Sequence, residues 1–451
     1  MFPYRLCEEV ILSFFNNPEV RSLVKPRYAI AEIQAISALL ERTGTLSFSP
    51  LANGLFPAAA LDQDRSYTGY SYVWVRDNIH LAHCHYLTGH TDVAVRTLRT
   101  LAAYFIRHRK RFLDIITGTA DAAIPMNRPH IRFDGGSLDE VKEKWAHAQN
   151  DALGYFLWLF CKLIHEGALT PTAGELELLP LFLRYFAAIR YWQDEDSGHW
   201  EETRKISASS IGVVLAGLTE CRKVLSQSGS LGDAGGTGVT GDTVESLIQR
   251  GRTALASILP WECSQPDPIK QRRYDAALLF LVYPLQVVEG EMADQIVTDV
   301  VTHLQGEAGI RRYLGDSYWA PDYKEKLQPA ERTIDLSDDL SARNRLLPAI
   351  GQEAQWCLFD PIVSCIFGLK FQSTRSPEDL AQQTRYLNRS LSQITGPDHT
   401  GLPAFRCPEL YYLEAGRYVS NDNVPLLWTQ ANLLLALKFM RGSCAISSAS
   451  A

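Results

Sequence analysis

The chain has 451 residues, a hydrophobic fraction of 46% and a charged fraction of 21%, which excludes a disordered or fibrous chain. Its formal charge of −7 offers no basic footprint, so nucleic acid is not an expected partner. No apolar run reaches the roughly 20 residues of a membrane span, and a membrane is not an expected partner either. The N-terminal segment carries Arg5, Glu8 and Glu9 within its apolar stretch, unlike a signal peptide. The 9 cysteines are odd in number, scattered and never spaced CxxC. That pattern reads as reduced thiols in a cytoplasmic protein.

Apolar residues recur at three and four over 30–42, 78–88, 92–107, 149–165, 175–193 and 206–226. They do so again over 242–259, 272–284, 291–304, 353–370, 377–395 and 424–441, which predicts about twelve helices and no strand ladder. The stretches 152–164 and 423–439 are apolar on nearly every face, and such helices belong inside, covered by neighbours. A four-helix bundle cannot bury so many. Long aromatic-rich connections at 110–147, 306–350 and 396–422 are where sites tend to sit. The pattern fits an all-α (α/α)6 barrel, six inner and six outer helices, in a single domain over 1–441. Length alone would suggest about three domains. A stack of helical repeats is the competing arrangement, but no period of about 33–45 residues supports it. The glycine- and serine-rich 226–242 lacks the Gly-Lys-Ser/Thr of a phosphate loop and reads as a flexible surface loop. The small, polar 442–451 reads as a disordered tail.

Five segments join aromatics to charges beyond what a solvated face requires. In 69–78, Tyr70, Tyr72 and Trp74 lead into Arg76, Asp77 and Asn78. A stacking wall, a donor fork and an acceptor suit sugar hydroxyls, while Asp77 or Asn78 as a helix N-cap explains the same residues. The second segment, 144–151, sets Trp145 and Asp151 at the mouth of a helix, with a cap again the alternative. In 194–202, Trp200 precedes Glu201 and Glu202 after a glycine turn. An indole beside a carboxyl raises its pKa, as a general acid at neutral pH requires; exposed helix-entry glutamates are the plainer reading. The fourth segment, 309–319, is dense in Arg311, Arg312, Tyr313, Tyr318 and Trp319, and a surface Arg311–Asp316 pair would explain it. The fifth, 406–412, places Glu409 after Pro408 beside Tyr411 and Tyr412, where a lone glutamate is ordinarily structural. Two distant carboxylates matter only if the fold brings them together across one cavity.

Other chemistries fit poorly. His80, His83, Cys84 and His85 crowd one turn, but no further ligand completes a zinc site. A GxSxG elbow is absent, Asp335, Asp338 and Asp339 lack the spacing of a magnesium–diphosphate helix, and the kinase set is missing.

The joint occurrence of WVRDN, QNDALG, HWEE, GIRRYLGDSYW and PELY resembles glycoside hydrolase family 15, the glucoamylase family, from about Tyr67 to Leu437. The likeness is nearest to its phosphorylase-kinase-type branch. It implies that Arg76 and Asp77 hold a non-reducing terminal glucose and that Trp145 and Asp151 line the same pocket. It also implies Glu201 as general acid, Glu202 as a neighbouring substrate contact, Arg312 as the arginine of an Arg-Tyr segment, and Glu409 as general base. Glu414 is the fallback base. Tyr72, Trp74, Trp200 and Tyr411 complete the expected sugar-binding set. The chain leaves no room for an N-terminal β-sandwich, a starch-binding domain or a long regulatory extension, so soluble substrates are expected rather than raw starch. The resemblance implies an inverting, exo-acting α-glucoside hydrolase that needs neither metal nor organic cofactor. Its substrates would be small α-glucosides or maltodextrins, and no protein partner is specified. The runner-up is a sugar-sensing regulatory module without hydrolysis, and an all-α scaffold for protein partners ranks third.

Overall fold

The structure is a computed structural model that describes residues 14–60, 69–227, 241–332, 339–397 and 402–449. Its principal helices are α1 (Ile30–Arg42), α2 (Val75–Leu87), α3 (Thr91–Arg107), α4 (Asn150–His165), α5 (Leu178–Ala188) and α6 (Ala208–Gln227). The remaining six are α7 (Gly241–Ile258), α8 (Leu279–Val282), α9 (Gly290–His303), α10 (Phe359–Thr374), α11 (Pro377–Ser392) and α12 (Leu427–Ala449). Each falls within or close to a stretch that helical periodicity marks out.

The even-numbered helices close a ring. Helix α2 packs on α4, α4 on α6, α6 on α8, α8 on α10, α10 on α12, and α12 back on α2. Apart from the four-residue α8, these are the helices buried on most faces: α2 buries every residue from Val75 to His85. The odd-numbered helices bury one stripe, as α3 does with Ala94, Leu98, Leu101 and Phe105, and lie outside the ring with their polar faces outward. The protein is thus an all-α (α/α)6 barrel. One apolar cluster runs from Val20 to Cys444.

Helices α4 and α6 approach unusually closely because glycines face each other at the crossing. A Cβ on Gly154 would stand 2.8 Å from the Val214 amide nitrogen, and one on Gly217 would stand 2.8 Å from the Gly154 carbonyl oxygen. Gly154→Val should therefore push the two inner helices apart. Overpacking of this kind costs about 1–3 kcal/mol, measurable as a lower Tm; an unchanged Tm would mean that the crossing yields freely.

Four features differ from the sequence expectation. Residues 272–284 keep only the Ala276–Leu278 turn and the four-residue α8, because Tyr283 is extended before Pro284, which cannot donate to a helix. Residues 353–358, expected to begin a helix, instead hold the short strand Gln355–Trp356 between a bend and a turn. There β3 (Gln355–Trp356) pairs with β4 (Leu410–Glu414), which turns back as β5 (Arg417–Ser420). The hairpin turn uses Ala415 and Gly416, both at positive φ, the requirement of a tight two-residue hairpin loop. A smaller pair joins β1 (Val73–Trp74) to β2 (Arg132–Phe133). Finally, the tail expected to be disordered continues α12 to Ala449, with Ser443 and Cys444 buried and the Cys444 thiol donating to the Tyr28 carbonyl. Residues 450–451 and most of the glycine-rich 226–242 lie outside the described residues.

The eight described cysteines are free and buried. Among the described residues no helix is long and apolar enough to cross a membrane.

Candidate active site

The N-terminal ends of the inner helices meet around one cavity. Its lining comes from Arg76 and Asp77 in the first turn of α2, from Trp428 at the start of α12, and from the loops that lead into the others. Glu201 precedes α6, Trp356 precedes α10, and Glu409 precedes β4. The space is about 180 Å³. Helix N-termini carry partial positive charge, which suits a cavity rich in carboxylates.

Glu201 sits in the left-handed region at φ 57°, a conformation that costs a non-glycine residue on the order of 1–3 kcal/mol and clusters at functional sites. That backbone turns its carboxyl into the cavity, where the Trp74 indole donates to Oε1 at 2.7 Å. Arg76 Nη2 reaches the same oxygen at 3.4 Å. Burial raises the carboxyl pKa, opposed by Arg76 and by the Trp74 hydrogen bond.

Glu409 is held differently. The Tyr70 hydroxyl donates to Oε1 at 2.5 Å. The Asn423 amide donates to Oε2 at 2.7 Å, and Asn421 adds a third donor there. Burial raises its pKa, and these three donors pull it back. Hydrogen bonds to the charged form favour it, so Glu409 is built to be an anion. Tyr70 belongs to the 69–78 aromatic run but not to the expected sugar-binding set, and neither asparagine was expected at the site. The asparagines stand in the sequence only as loop polars of Asn421-Asp422-Asn423, and their pairing with Glu409 depends on the hairpin.

The Arg-Asp pair divides its work. Arg76 Nη1 meets Asp151 Oδ2 at 2.6 Å and Gln149 Oε1 at 3.1 Å. Asp151 is fully buried behind the cavity wall, so it fixes Arg76 rather than lining the pocket. Asp77 lines the cavity and, among the described residues, its carboxylate bonds to no other side chain. Burial pushes it up to about 7, with Arg76 opposing and the Glu201 and Glu409 charges adding. It is not the N-cap of α2; Trp74 holds that position. Asn78 is structural, joining the Phe56 backbone and the Trp74 carbonyl.

The other expected residues separate clearly. Trp74, Trp145, Trp200, Glu202 and Arg312 line the cavity. Arg312, not Arg311, forms the ion pair with Asp316, in a two-pronged bond of 2.6 Å per prong, while Arg311 joins Glu353. The Arg312 guanidinium lies over Trp356, Tyr318 and Trp200 at 4.7 to 5.3 Å. Glu202 is saturated by Lys205, Arg272, Arg343 and the Tyr313 hydroxyl, which hold its pKa well below the usual range. Little of that carboxylate remains for a substrate.

Tyr72 and Tyr411 do not line the cavity. Tyr72 lies under the Arg132 guanidinium, and the Tyr411 hydroxyl donates to the Gln393 carbonyl and accepts from Asn16, away from the pocket. Glu414 sits further along β4 and accepts from Tyr412; of the two candidate bases, only Glu409 faces the cavity. His80 stacks on Trp428 at 4.4 Å and Cys84 donates to the Ala431 carbonyl, so packing accounts for both.

Comparison with known proteins adds the following. The sequence model described as glycosyl hydrolases family 15 matches residues 35–324. The uncharacterized lipoprotein YgeQ of Escherichia coli (strain K12) is 28% identical over 206 residues, covering 40% of this chain and 76% of its own length. The skeletal-muscle phosphorylase b kinase regulatory subunit alpha of Oryctolagus cuniculus is 25% identical over 189 residues, 40% of this chain but only 14% of that subunit. Among solved structures, a wild-type glycosidase superposes with a TM-score of 0.62 at 17% identity, covering 94% of this chain and 98% of that one. The glucoamylase of Saccharomycopsis fibuligera gives 0.58 at 12%, covering 97% and 98%. A bacterial glucoamylase complexed with acarbose gives 0.56 at 13%, covering 91% and 56%. At these identities the structures share the fold.

Proposed function

The chain belongs to glycosyl hydrolase family 15, and from that premise we propose that it is an inverting, exo-acting α-glucosidase. It would release glucose from soluble α-glucosides or maltodextrins. The observation that carries this reading is that Glu201 and Glu409, distant in sequence, line one cavity, each buried and each held by its own set of hydrogen-bond donors. Trp74 and Arg76 both donate to Oε1 and Gln149 is a further hydrogen-bond partner of the carboxyl; in its protonated form Glu201 delivers its proton to the leaving oxygen. Glu409, kept anionic by three donors, takes a proton from the attacking water as the oxocarbenium-like transition state forms. Single displacement requires the carboxyl groups to stand about 6.5–9.5 Å apart. Asp77 receives hydroxyls of the terminal glucose, and the tryptophans cover its apolar faces.

The test is incubation with maltose, isomaltose, maltodextrin, trehalose and sucrose. Glucose release, with the β-anomer appearing first by NMR, is expected from at least one. The regulatory subunits among the relatives favour a second reading, a sugar sensor that binds without turnover. No release from any substrate, with binding retained, would select the sensor.

With sugar saturating Asp77, the bell-shaped kcat profile should lie at higher pH than that of ordinary glutamates, because burial raises both carboxyls. Its acid limb reports ionisation of Glu409 and its alkaline limb loss of the Glu201 proton. Tyr70→Phe removes a donor to the charged form of Glu409, so the acid limb should move to higher pH while the alkaline limb stays. An unmoved acid limb would remove Glu409 from the base role.

A further inference from the structure

Beside the catalytic cavity lies a second one of about 310 Å³, lined by Lys205, Arg272, Arg273 and Arg343. Arg343 lines both spaces. Glu202 faces the first and its neighbour Thr203 the second. The two therefore adjoin at Arg343 and the Glu202–Thr203 step, which directly follows Glu201 in the chain, the residue that would protonate the leaving group. The inference rests on that reading of the first cavity.

Among the described residues the charge lining the second cavity leans positive. Lys205, Arg272 and Arg343 converge on Glu202, and Arg272 also reaches Asp275 at 3.1 Å. Among the described residues three cations thus form ion pairs with two carboxylates, and the third carboxyl of the cluster, Glu262 near Lys205 and Asp275, is pushed up to about 8 by burial. Arg273 is neutralised by Asp299 at 2.8 Å. Donors remain as well. Among the described residues, Arg272 Nε and Nη2 and Arg343 Nε have no protein hydrogen bond, and none of these atoms is sealed from solvent. The Arg272 guanidinium lies over the Tyr313 ring, 3.4 Å from its centroid, so its fork is held in one plane. The exposed side chains of Ile269 and Leu314 stand at the same cavity. A neutral sugar needs hydroxyl partners of both kinds, whereas fixed guanidinium donors with surplus positive charge suit anionic oxygens.

We propose that this second cavity receives the leaving-group side of the substrate and selects an aglycone bearing a carboxylate or phosphate monoester, with Arg272 and Arg343 as its receptors.

The test compares maltose with maltobionate, which keeps the α-1,4 linkage but carries a carboxylate on the leaving group. A third arm is maltose phosphorylated on its reducing sugar. At low ionic strength, kcat/KM should be at least tenfold higher for one anionic substrate than for maltose, and the arm with the larger advantage identifies the anion. Added salt should shrink the advantage. Arg343→Gln should collapse the anionic-to-neutral ratio. Calorimetry on the wild-type protein, titrated with maltose and with each anionic sugar, decides the matter should that variant fail to fold. Equal rates and equal affinities for charged and neutral sugars overturn the inference. Glucose release from maltose with no anionic advantage sinks the second cavity alone. Tighter binding of an anionic sugar without release from any substrate keeps the second cavity and sinks the hydrolase.

Discussion

Glu201→Gln is expected to lower glucose release from maltose by about 10²–10⁴-fold, the range that a positioned general acid supplies. The amide can still accept from Trp74 and Arg76 through its Oε1, so the left-handed turn at Glu201 keeps its anchors and the Tm should stay near wild type. The decisive contrast is with α-glucosyl fluoride, whose leaving fluoride needs no proton. The variant should lose far less activity on the fluoride than on maltose. Equal losses on both substrates would mean that Glu201 positions the sugar and that the proton comes from elsewhere. Glu409→Gln should show the opposite pattern, with both substrates failing together, because water must be activated in either case.

The barrel was legible in the sequence because burial on all faces leaves a plain signal. Stretches 152–164 and 423–439 could only be inner helices, and both belong to the inner ring as α4 and α12. The aromatic–charge segments were legible for a related reason. A tryptophan next to a carboxyl, as in Trp200-Glu201, marks the right segment, although the indole that meets Glu201 is that of Trp74 while Trp200 donates to Asp275. The hairpin of β4 and β5 was not legible. It is nine residues of strand with one Ala-Gly turn, too short for periodicity to register.

What the hairpin builds was hidden with it. Asn421 and Asn423 reach Glu409 only because β4 and β5 fold back on each other. Arg343 reaches Glu202 across 141 positions, and no spacing rule spans that distance. Tyr411 misled because its place beside Glu409 in sequence says nothing about which way each side chain turns. Arg76 and Asp77 misled in part. Read as an equal pair of sugar contacts, they separate once Asp151 and Gln149 occupy the arginine.

That separation gives Asp77 the second large effect. Asp77→Ala is expected to weaken glucose and maltose binding by about 10²–10⁴-fold, since losing one partner of a buried charged contact costs roughly 3–5 kcal/mol. Glu201→Gln should leave binding largely intact. The same carboxyl also sets a pH dependence. In the folded chain it is pushed up to about 7, whereas an unfolded aspartate ionises near roughly 4. Between those values the folded protein holds a proton that the unfolded chain has released, so stability falls as pH rises through this window. Asp77→Asn removes that penalty, and its Tm advantage over wild type should grow from about pH 4 to 7 and then level off.

Sugar hydroxyls donating to the ionised carboxylate lower its pKa on binding. Affinity should therefore rise with pH up to about 7, and binding at pH 6 should release a proton. Calorimetry in two buffers of different ionisation enthalpy reads that proton directly. Unaltered binding by Asp77→Ala, with no proton released by the wild type, would reduce Asp77 to a first-turn acid that favours the N-terminus of α2.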